Sequence, residues 1–286
     1  MKNALVVFNY NAGRKKAIIY KKILHKFLLH RCNKFKFISI DEFDSVNWDE
    51  YDTVFAVGGD GTVNTVAKTI ISTDKTLAII PSGTANLLSA KLGISTNLKK
   101  TLKIIDKNIT KEIDYLEVND LPCFLRTGFG YDSDIICKTP QTLKNKFGYF
   151  AYFIAGIIFA LRLVSKTYEM VIDGEKLITN ATCIIVANAA NMYQNAVSVA
   201  RDSELDDGFF DIFILNAKNP ITFFLEFLKI TFNIKKDNSR AKYIKAKNMS
   251  IKNNWTVCHI DGEKTKLKDD VEINIIPNKL KVFCKK

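Results

Sequence analysis

The chain has 286 residues, of which 47% are hydrophobic, and this length and apolar content suit one large or two ordinary folded domains. The formal net charge of +12 favours an anionic partner: nucleic acid, a phospholipid surface or a phosphorylated ligand. Six scattered cysteines without a C-x-x-C pair, and three separated histidines, exclude a zinc site of common spacing and indicate reduced thiols in a cytoplasmic protein.

The first third of the chain alternates between strand and helix patterns. Strands are predicted at Ala4–Phe8, Phe35–Ile40, Thr53–Val57, Leu77–Ile80 and Glu112–Val118, and helices at Lys15–His30, Val63–Ser72, Thr84–Lys91 and Asn97–Lys107. Continuous apolar strands that alternate with helices are typical of a parallel sheet covered on both faces. We therefore predict an α/β domain over residues 1–118.

A glycine-rich turn follows the third predicted strand, with the sequence Gly58-Gly59-Asp60-Gly61-Thr62. Glycines let the backbone approach a large anion, and the helix that follows offers N–H groups at its positive end. A carboxylate next to a polyphosphate is repelled unless a divalent cation lies between them, so Asp60 favours Mg²⁺. The alternative is a tight strand–helix turn in which Asp60 only caps the helix.

Two more polar loops follow predicted strands, at Asn9–Gly13 and Pro81–Asn86. Because ligands of parallel sheets bind at the carboxyl ends of the strands, all three loops are expected to converge on one edge. This convergence indicates a nucleotide-binding cleft more strongly than any one loop does.

After about residue 119 the pattern changes to closely spaced strands. They are predicted at Cys123–Thr127, Thr167–Ile172, Leu177–Asn188, Phe209–Leu215, Tyr243–Ile251, Thr256–Ile260, Val271–Ile276 and Leu280–Cys284, with helices at Tyr149–Leu163 and Pro220–Ile230. Asp-Gly pairs at Asp173, Asp207 and Asp261 are typical of hairpin turns. We predict a second, mostly antiparallel β-sandwich domain over residues 119–286.

The segment Phe147–Val164 is apolar apart from Arg162, but its uncharged part is shorter than a bilayer span. We expect a buried or interfacial helix there. The chain begins with a strand pattern and lacks the length and cleavage pattern of a signal peptide. The expected location is the cytoplasm, with peripheral binding at the inner face of the membrane.

Taken in order, the motifs resemble those of the soluble bacterial diacylglycerol kinases and the related sphingosine and ceramide kinases. The matching segments are Asn9–Arg14, Gly58–Asn64, Pro81–Asn86, Leu92–Ile94, Gly128–Asp132, Asp206–Phe209 and Asp261–Glu263. Their order and spacing agree over nearly the full chain.

The resemblance implies an ATP-binding α/β domain, a β-rich lipid-substrate domain and an active site in the cleft between them. It implies transfer of the γ-phosphoryl group of Mg·ATP to the hydroxyl of a membrane lipid such as diacylglycerol. The implied cofactors are ATP and Mg²⁺, and the implied partners are the lipid substrate and an anionic membrane surface.

The resemblance also assigns roles to single residues. The catalytic residues are Asp60, Asp132 and Glu263, with Glu263 accepting the hydroxyl proton if a closed cleft raises its pKa by desolvation. Asp60 and Asp132 hold the catalytic metal, and a structural Mg²⁺ is held by Asp207 with the backbone of Glu204 and Phe209. ATP is bound by Asn9, Gly13, Arg14, Lys15, Gly58, Gly59, Gly61, Thr62, Ser82, Gly83, Thr84 and Asn86.

Each assignment has a structural alternative. Glu263 and Asp207 can be ordinary hairpin-turn residues, Asp132 can cap a helix, and Arg14 with Lys15 can be a solvated helix start.

Several positions depart from the family pattern. Thr65 and Leu87 stand where an acid is usual, Tyr10 where proline is usual, and Arg201 where proline is common. Tyr193-Gln194-Asn195 replaces a tyrosine followed by glycines. Thr65 and Leu87 matter most because each removes a carboxylate from the neighbourhood of the ATP site.

Three other readings stay open at this point. The acceptor can be a sphingoid base or another lipid. It can also be a soluble molecule, since NAD kinases and phosphofructokinases carry a similar glycine loop. It can be a weak or inactive ATP- or lipid-binding module, given Leu87 and Thr65. Nucleic acid is not expected as a partner because no recognised binding signature is present. A homodimer stays open.

Overall fold

The structure is a computed structural model of the chain. It describes residues 1–10, 14–140, 142–143, 155–156, 158, 163–188, 191–192, 197–198, 204–217, 219–231, 240–252, 257–267 and 270–285. The chain divides into two compact units, one formed by Met1–Ile113 with Asn278–Lys286 and the other by Asp114–Pro277. The second stretch of the first unit comes from the far end of the chain. This division differs from the predicted domains, 1–118 and 119–286.

A parallel sheet organises the first unit. Its first four strands are β1 (Asn3–Phe8), β2 (Lys34–Ser39), β3 (Thr53–Gly58) and β4 (Thr76–Pro81), in the spatial order β2-β1-β3-β4. The end of the final strand, β18 (Val271–Phe283), lies parallel to β4, with Lys281 opposite Thr76. The predicted parallel α/β unit is confirmed.

Helices pack against this sheet and bury the apolar side chains of one helix face on it. They are α1 (Arg14–Leu29), α2 (Asp60–Ile70), α3 (Leu87–Lys91) and α4 (Leu98–Asp106), with 3₁₀ turns at Ile40–Ser45 and Trp48–Glu50. Leu24 and Leu28 of α1 and Leu102 of α4 share one core with Phe8 and Phe55 of the sheet. These residues recur at helical spacing in the helices and at alternate positions in the strands, as a two-layer core requires.

The second unit consists of antiparallel strands. The strands that follow β4 are β5 (Thr110–Val118), β6 (Leu121–Cys123), β7 (Arg126–Gly130), β8 (Lys166–Ile172), β9 (Glu175–Ala181), β10 (Cys183–Ala187), β11 (Asn191–Met192), β12 (Val197–Ser198), β13 (Phe210–Leu215), β14 (Ala241–Ala246), β15 (Asn248–Ile251), β16 (Val257–Ile260) and β17 (Glu263–Lys266), before β18. Among the described residues, the helices α5 (Tyr131–Lys138) and α6 (Pro220–Thr231) lie between these strands.

Two layers of strands form the core of the second unit. One layer is the sheet β14-β13-β10-β7-β16-β17, and the other runs from the first part of β18 through β15 and β8 to β9. Tyr168 and Met170 from β8 pack in one cluster with Ile184 and Val186 from β10 and Phe210 from β13. The predicted antiparallel sandwich is confirmed.

Several predicted element boundaries were wrong. The predicted strand Leu177–Asn188 is two strands, because the backbone leaves one sheet at Thr182 and enters the other. The predicted strands Val271–Ile276 and Leu280–Cys284 are the single strand β18, in which Pro277 lies between the residues paired with β15 and those paired with β4.

Some predictions lie wholly or mostly outside the described residues. They are Gly13, most of the apolar segment Phe147–Val164, the segment Tyr193–Asn195, and Arg201. Within the described part of the chain, no helix is both long enough and apolar enough to cross a membrane.

Candidate active site

The three polar loops of the first unit meet at the carboxyl ends of β1, β3 and β4. Asn9 follows β1, and its Nδ2 donates to Thr62 Oγ1 in α2 at 3.1 Å. The backbone N–H of Ser82, which follows β4, donates to Gly58 O at the end of β3 at 2.8 Å. The predicted convergence of the loops is therefore present in the structure.

Glycines permit the close approach of these loops. A Cβ built on Gly83 would lie 2.5 Å from the Cα of Gly59, and a Cβ on Gly59 would lie 3.3 Å from the Cα of Gly83. A Cβ built on Gly58 would overlap the side chain of Thr62. A side chain at Gly83 would push the two loops apart, and one at Gly58 would displace Thr62, so packing requires glycine at both positions.

The carboxylate of Asp60 joins two of the loops. Its Oδ1 accepts a hydrogen bond from the backbone N–H of Leu87 at 2.7 Å. The loop before Leu87 is closed by Asn86, whose side chain accepts from Gly83 N at 3.0 Å and donates to Gly83 O at 2.7 Å. Asn86 has a left-handed φ of 48°, so helix α3 begins at Leu87 and not at the predicted Thr84. Asp60 is thus held in a fixed orientation at the start of α2.

The amino end of α2 is open. Gly59, the N-cap residue, has no side chain with which to cap the helix, and within the described residues a Cβ built on Gly61 would meet no atom within 4 Å. Uncapped helix N–H groups at the positive end of the dipole bind anions. Asn64, one turn further, is 2% exposed, and its Oδ1 has no hydrogen-bond partner within the described part of the protein. Both observations fit a polar ligand at this helix start.

The other residues predicted to bind ATP are placed as follows. Thr84 is exposed in the loop after β4. Arg14 and Lys15 are the first residues of α1, and their side chains lie outside the described part of the chain, as does Gly13.

In the second unit, Asp132 lies in the first turn of α5 and is 7% exposed. Nη1 of Arg126 lies 2.9 Å from each of its carboxylate oxygens, and Nε2 of His259 lies 2.6 Å from Oδ2. Burial raises the pKa of the Asp132 carboxyl, but Arg126 and His259 outweigh burial and hold this pKa well below its ordinary value. These partners support a role in holding Arg126 and His259, and the predicted role of Asp132 as a metal ligand stays a prediction.

Glu263 is the first residue of β17, directly after the Asp261–Gly262 turn. Its side chain is exposed, and its backbone pairs with Ile260 of β16. The predicted role of Glu263 as acceptor of the hydroxyl proton stays a prediction. The predicted location of the active site in a cleft between the domains stays a prediction.

The turn predicted to bind a structural Mg²⁺ contains a different cation. Asp207 Oδ2 pairs with Lys245 Nζ at 2.6 Å, and Asp207 Oδ1 accepts from the backbone N–H of Phe209 at 3.0 Å. The ammonium groups of Lys245 and Lys247 lie 5.5 and 4.8 Å from the centre of the Phe209 ring. Two ammonium groups at this turn repel a divalent ion, so these residues do not fit the predicted metal site of Asp207, Phe209 and the exposed Glu204.

Sequence reasoning missed Arg126, His259 and Lys245. Arg126 and His259 are polar residues inside predicted apolar strands, Cys123–Thr127 and Thr256–Ile260. A charged or imidazole side chain at a buried strand position needs a partner, and that requirement was the available signal.

Comparison with known families covers most of the chain. Residues 3–118 match the family model described as the diacylglycerol kinase catalytic domain. Residues 127–284 match the model described as the YegS C-terminal NAD kinase beta sandwich-like domain. The boundary between the matches falls near the change from parallel to antiparallel strands.

Individual relatives agree with this result. A protein named diacylglycerol kinase from Bacillus subtilis is 28% identical over 237 residues, which is 78% of this chain and 77% of that protein. An uncharacterised Synechocystis protein is 30% identical over 247 residues, or 81% of this chain, and the chain spans only 54% of its length. A crystal structure described as a diacylglycerol kinase from Bacillus anthracis has a TM-score of 0.79 at 22% identity, covering 99% of this chain and 97% of that one. The chain therefore belongs to the family of diacylglycerol kinases and YegS-like lipid kinases.

Proposed function

We propose that the protein transfers the γ-phosphoryl group of Mg·ATP to the hydroxyl of a membrane lipid such as diacylglycerol. The main observation behind the proposal is that the loops after β1, β3 and β4 converge on the start of α2, where the N-cap residue is a glycine. Phosphoryl transfer depends on positioning and on neutralisation of charge, with little covalent chemistry by the protein. A rigid anion site with one oriented carboxylate suits that task.

The first unit is assigned the nucleotide. The open N–H groups at the start of α2 and the space over Gly61 suit phosphate oxygens. Gly59 and Gly83 are in close contact, so the phosphates are proposed to lie along the rim that these glycines form. Asn9, whose amide already donates to Thr62, holds the first loop against this rim.

Asp60 is assigned Mg²⁺ when ATP is bound. One of its oxygens accepts from Leu87, which orients the carboxylate. Mg²⁺ in proteins is held by one or two carboxylates together with substrate phosphates and water, so a single oriented aspartate suits it. The ion would neutralise the charge that develops on the transferred phosphoryl group.

Glu263 is assigned the proton of the acceptor hydroxyl. It stands on a hairpin turn with its side chain exposed, so a bound lipid can reach it. A carboxylate within hydrogen-bonding distance of the hydroxyl can accept its proton as the oxygen attacks phosphorus. Lipid burial of the turn would supply the desolvation that favours this step.

An anionic membrane surface is proposed as the place where the acceptor is found. A groove of about 410 Å³ beside α1 and α4 is lined by Lys22, Lys26, His30 and Arg31 around Ile23, Phe27 and Leu102. Ile19 and Leu29 of α1 are 56% and 55% exposed. Basic side chains beside exposed apolar ones favour reversible binding to acidic lipid headgroups. This supports the predicted peripheral location at the cytoplasmic face.

The test is incubation of the purified protein with labelled ATP, Mg²⁺ and mixed micelles of diacylglycerol or of sphingoid bases, followed by thin-layer separation. We expect a labelled phospholipid, and a loss of at least about 100-fold in kcat for Asp60→Asn. Asparagine keeps the acceptor for Leu87 N–H, so the thermal midpoint of the variant should change little. No transfer to any lipid, or unchanged transfer by Asp60→Asn, would defeat the proposal.

A second candidate function is an ATP- or lipid-binding module without turnover. The observation that favours it is that Leu87, at a position where an acid is usual in the family, offers only its backbone N–H to Asp60. ATP binding measured by calorimetry, with no labelled product over a broad panel of lipid and soluble acceptors, would establish this alternative.

A further inference from the structure

We propose that Arg126, Asp132 and His259 form a positioning network that fixes the Asp261-Gly262-Glu263 turn. This inference rests on the proposed function, in which Glu263 accepts the proton of the lipid hydroxyl. His259 is fully buried and Asp132 is 7% exposed, so neither is placed to touch a substrate. They act through the backbone of the turn.

The network begins at strand β7. Arg126 is the first residue of this strand, and Asp132 lies just after the strand, at the start of α5. Nη1 of Arg126 lies 2.9 Å from both oxygens of Asp132. Gly128, between them, makes room for the pair, since a Cβ there would collide with Asp132 Oδ2 and lie 2.8 Å from His259 Nε2. The three side chains therefore pack directly over the backbone of β7.

The hydrogen bonds of His259 define its tautomer. The backbone N–H of Gly262 donates to His259 Nδ1 at 3.3 Å. A backbone N–H can only donate, so Nδ1 carries no proton, and the proton of the ring is on Nε2. Nε2 then donates to Asp132 Oδ2 at 2.6 Å. The neutral ring thus connects the buried carboxylate to the turn that carries Glu263.

The other side of the turn is held by Asp261. Its carboxylate accepts from the backbone N–H groups of Phe124, Leu125 and Arg126 at 2.8, 2.8 and 3.1 Å, and from the thiol of Cys123 at 3.2 Å. Burial, reinforced by Asp261, raises the pKa of the Cys123 thiol, which keeps the thiol a donor.

Both central residues of the turn have positive φ, 50° at Asp261 and 87° at Gly262. A turn fixed at Asp261 by four donors and at Gly262 by His259 presents the following residue from a rigid base. Because small displacements of a reacting group cost large factors in rate, rigidity at this point is valuable for catalysis. The structure therefore assigns to His259 the connection between Asp132 and the position of Glu263.

Two substitutions of His259 separate its two hydrogen bonds. In His259→Asn the amide oxygen occupies the place of Nδ1 and keeps the acceptor for Gly262, whereas the donor to Asp132 is lost. In His259→Gln the terminal amide keeps a donor for Asp132, whereas the acceptor for Gly262 is lost. His25→Gln, at an exposed position outside the groove beside α1 and α4, is the matched control.

The kinetic test compares these variants in the micelle assay. We expect kcat to fall roughly 10- to 100-fold in His259→Gln, with an unchanged KM for ATP, and to fall less in His259→Asn. The control should match the unmodified protein. Equal losses in the two His259 variants would assign the residue a merely structural role, and unchanged kcat in His259→Gln would overturn the inference.

A structural test is independent of activity. The protein contains only three histidines, so a protein labelled with ¹⁵N-histidine gives few ring signals, and the His259 signals are those that His259→Gln removes. We expect an unprotonated Nδ1 and a protonated Nε2, and amide exchange at Gly262 roughly tenfold faster in His259→Gln than in His259→Asn.

A protonated Nδ1, or equal exchange in both variants, would contradict the network even if lipid phosphorylation is observed. If the expected tautomer and exchange are found but no lipid is phosphorylated, the proposed function fails and the network stands as a feature of the fold.

Discussion

At the scale of single residues, Asp132 has contacts that the motif around it did not predict. The motif around it favoured a metal ligand, whereas its oxygens are engaged by Arg126 and His259. The partner of His259 could not be read from the sequence, because His259 reaches Asp132 through the register of β7 with β16. Register depends on the whole sheet and leaves no local signal.

We expect Asp132→Asn to destabilise the protein by about 3–5 kcal/mol at neutral pH, because it removes the carboxylate charge that pairs with the mostly buried guanidinium of Arg126. Asp134→Asn, two residues along α5, should cost under about 1 kcal/mol, since Asp134 pairs with Lys138 at an exposed position. Urea unfolding at neutral pH compares them. Similar losses in the two variants would contradict the buried pair.

The same carboxylate predicts a dependence on pH. The pKa of Asp132 is lower in the folded protein than its ordinary value of 3.8. Its contribution to stability is therefore fully present above about pH 4 and is lost as the pH falls towards the folded-state pKa. Below pH 4 the unfolding free energy of the unmodified protein should fall more steeply than that of Asp132→Asn. Parallel curves would exclude this contribution.

At the scale of elements, the parallel strands and the loops at their carboxyl ends were predictable. Continuous apolar runs followed by glycine turns indicate a buried parallel sheet, and the carboxyl ends of parallel strands lie at one edge of the sheet. The contacts of Asn9 with Thr62 and of Asp60 with Leu87 follow from that arrangement. The break at Thr182 was not predictable, since an apolar run reads the same whether it stays in one sheet or enters a second.

The glycine contact between two loops gives an element-scale prediction. Gly83→Ala should lower the unfolding free energy by about 1–3 kcal/mol and weaken ATP binding, because its Cβ would lie 2.5 Å from the Cα of Gly59. Gly61→Ala is the matched change in open space, where alanine favours helix α2 by up to about 1 kcal/mol. Thermal melts compare the two variants, and ATP titrations of Gly83→Ala measure the loss of binding. A Gly83→Ala protein as stable as Gly61→Ala would contradict the close contact.

The turn at Asp207 gives a second prediction at this scale. Because Lys245 already supplies the positive charge, Mg²⁺ and EDTA should leave the thermal midpoint of the nucleotide-free protein unchanged. A metal at 100 times its Kd would stabilise the fold by about 2.7 kcal/mol, which a melt detects readily. A rise with Mg²⁺ that disappears in Asp207→Asn would restore the metal site.

At the scale of the whole molecule, part of the excess positive charge lies in the groove beside α1 and α4, which we propose binds an anionic membrane surface. Each basic side chain near an anionic surface contributes about 1 kcal/mol to the free energy of membrane binding. Replacing both Lys22 and Lys26 by glutamate should therefore weaken binding to acidic phospholipid vesicles at least roughly 30-fold. Reversal of the exposed Lys176 and Lys279 is the control with the same change in net charge. Vesicle sedimentation measures both, and equal weakening would show that only net charge matters.

Strand β18 has a consequence for how the protein is made. The first unit takes a parallel strand from residues near the far end of the chain, where Lys281 and Val282 pair with Thr76 and Leu77 of β4. During synthesis on the ribosome, the sheet that carries the glycine loops cannot gain this strand until nearly every other residue has been translated. Nascent chains should therefore expose the edge of β4 for most of that period, which makes this edge the place where chaperone protection is most needed.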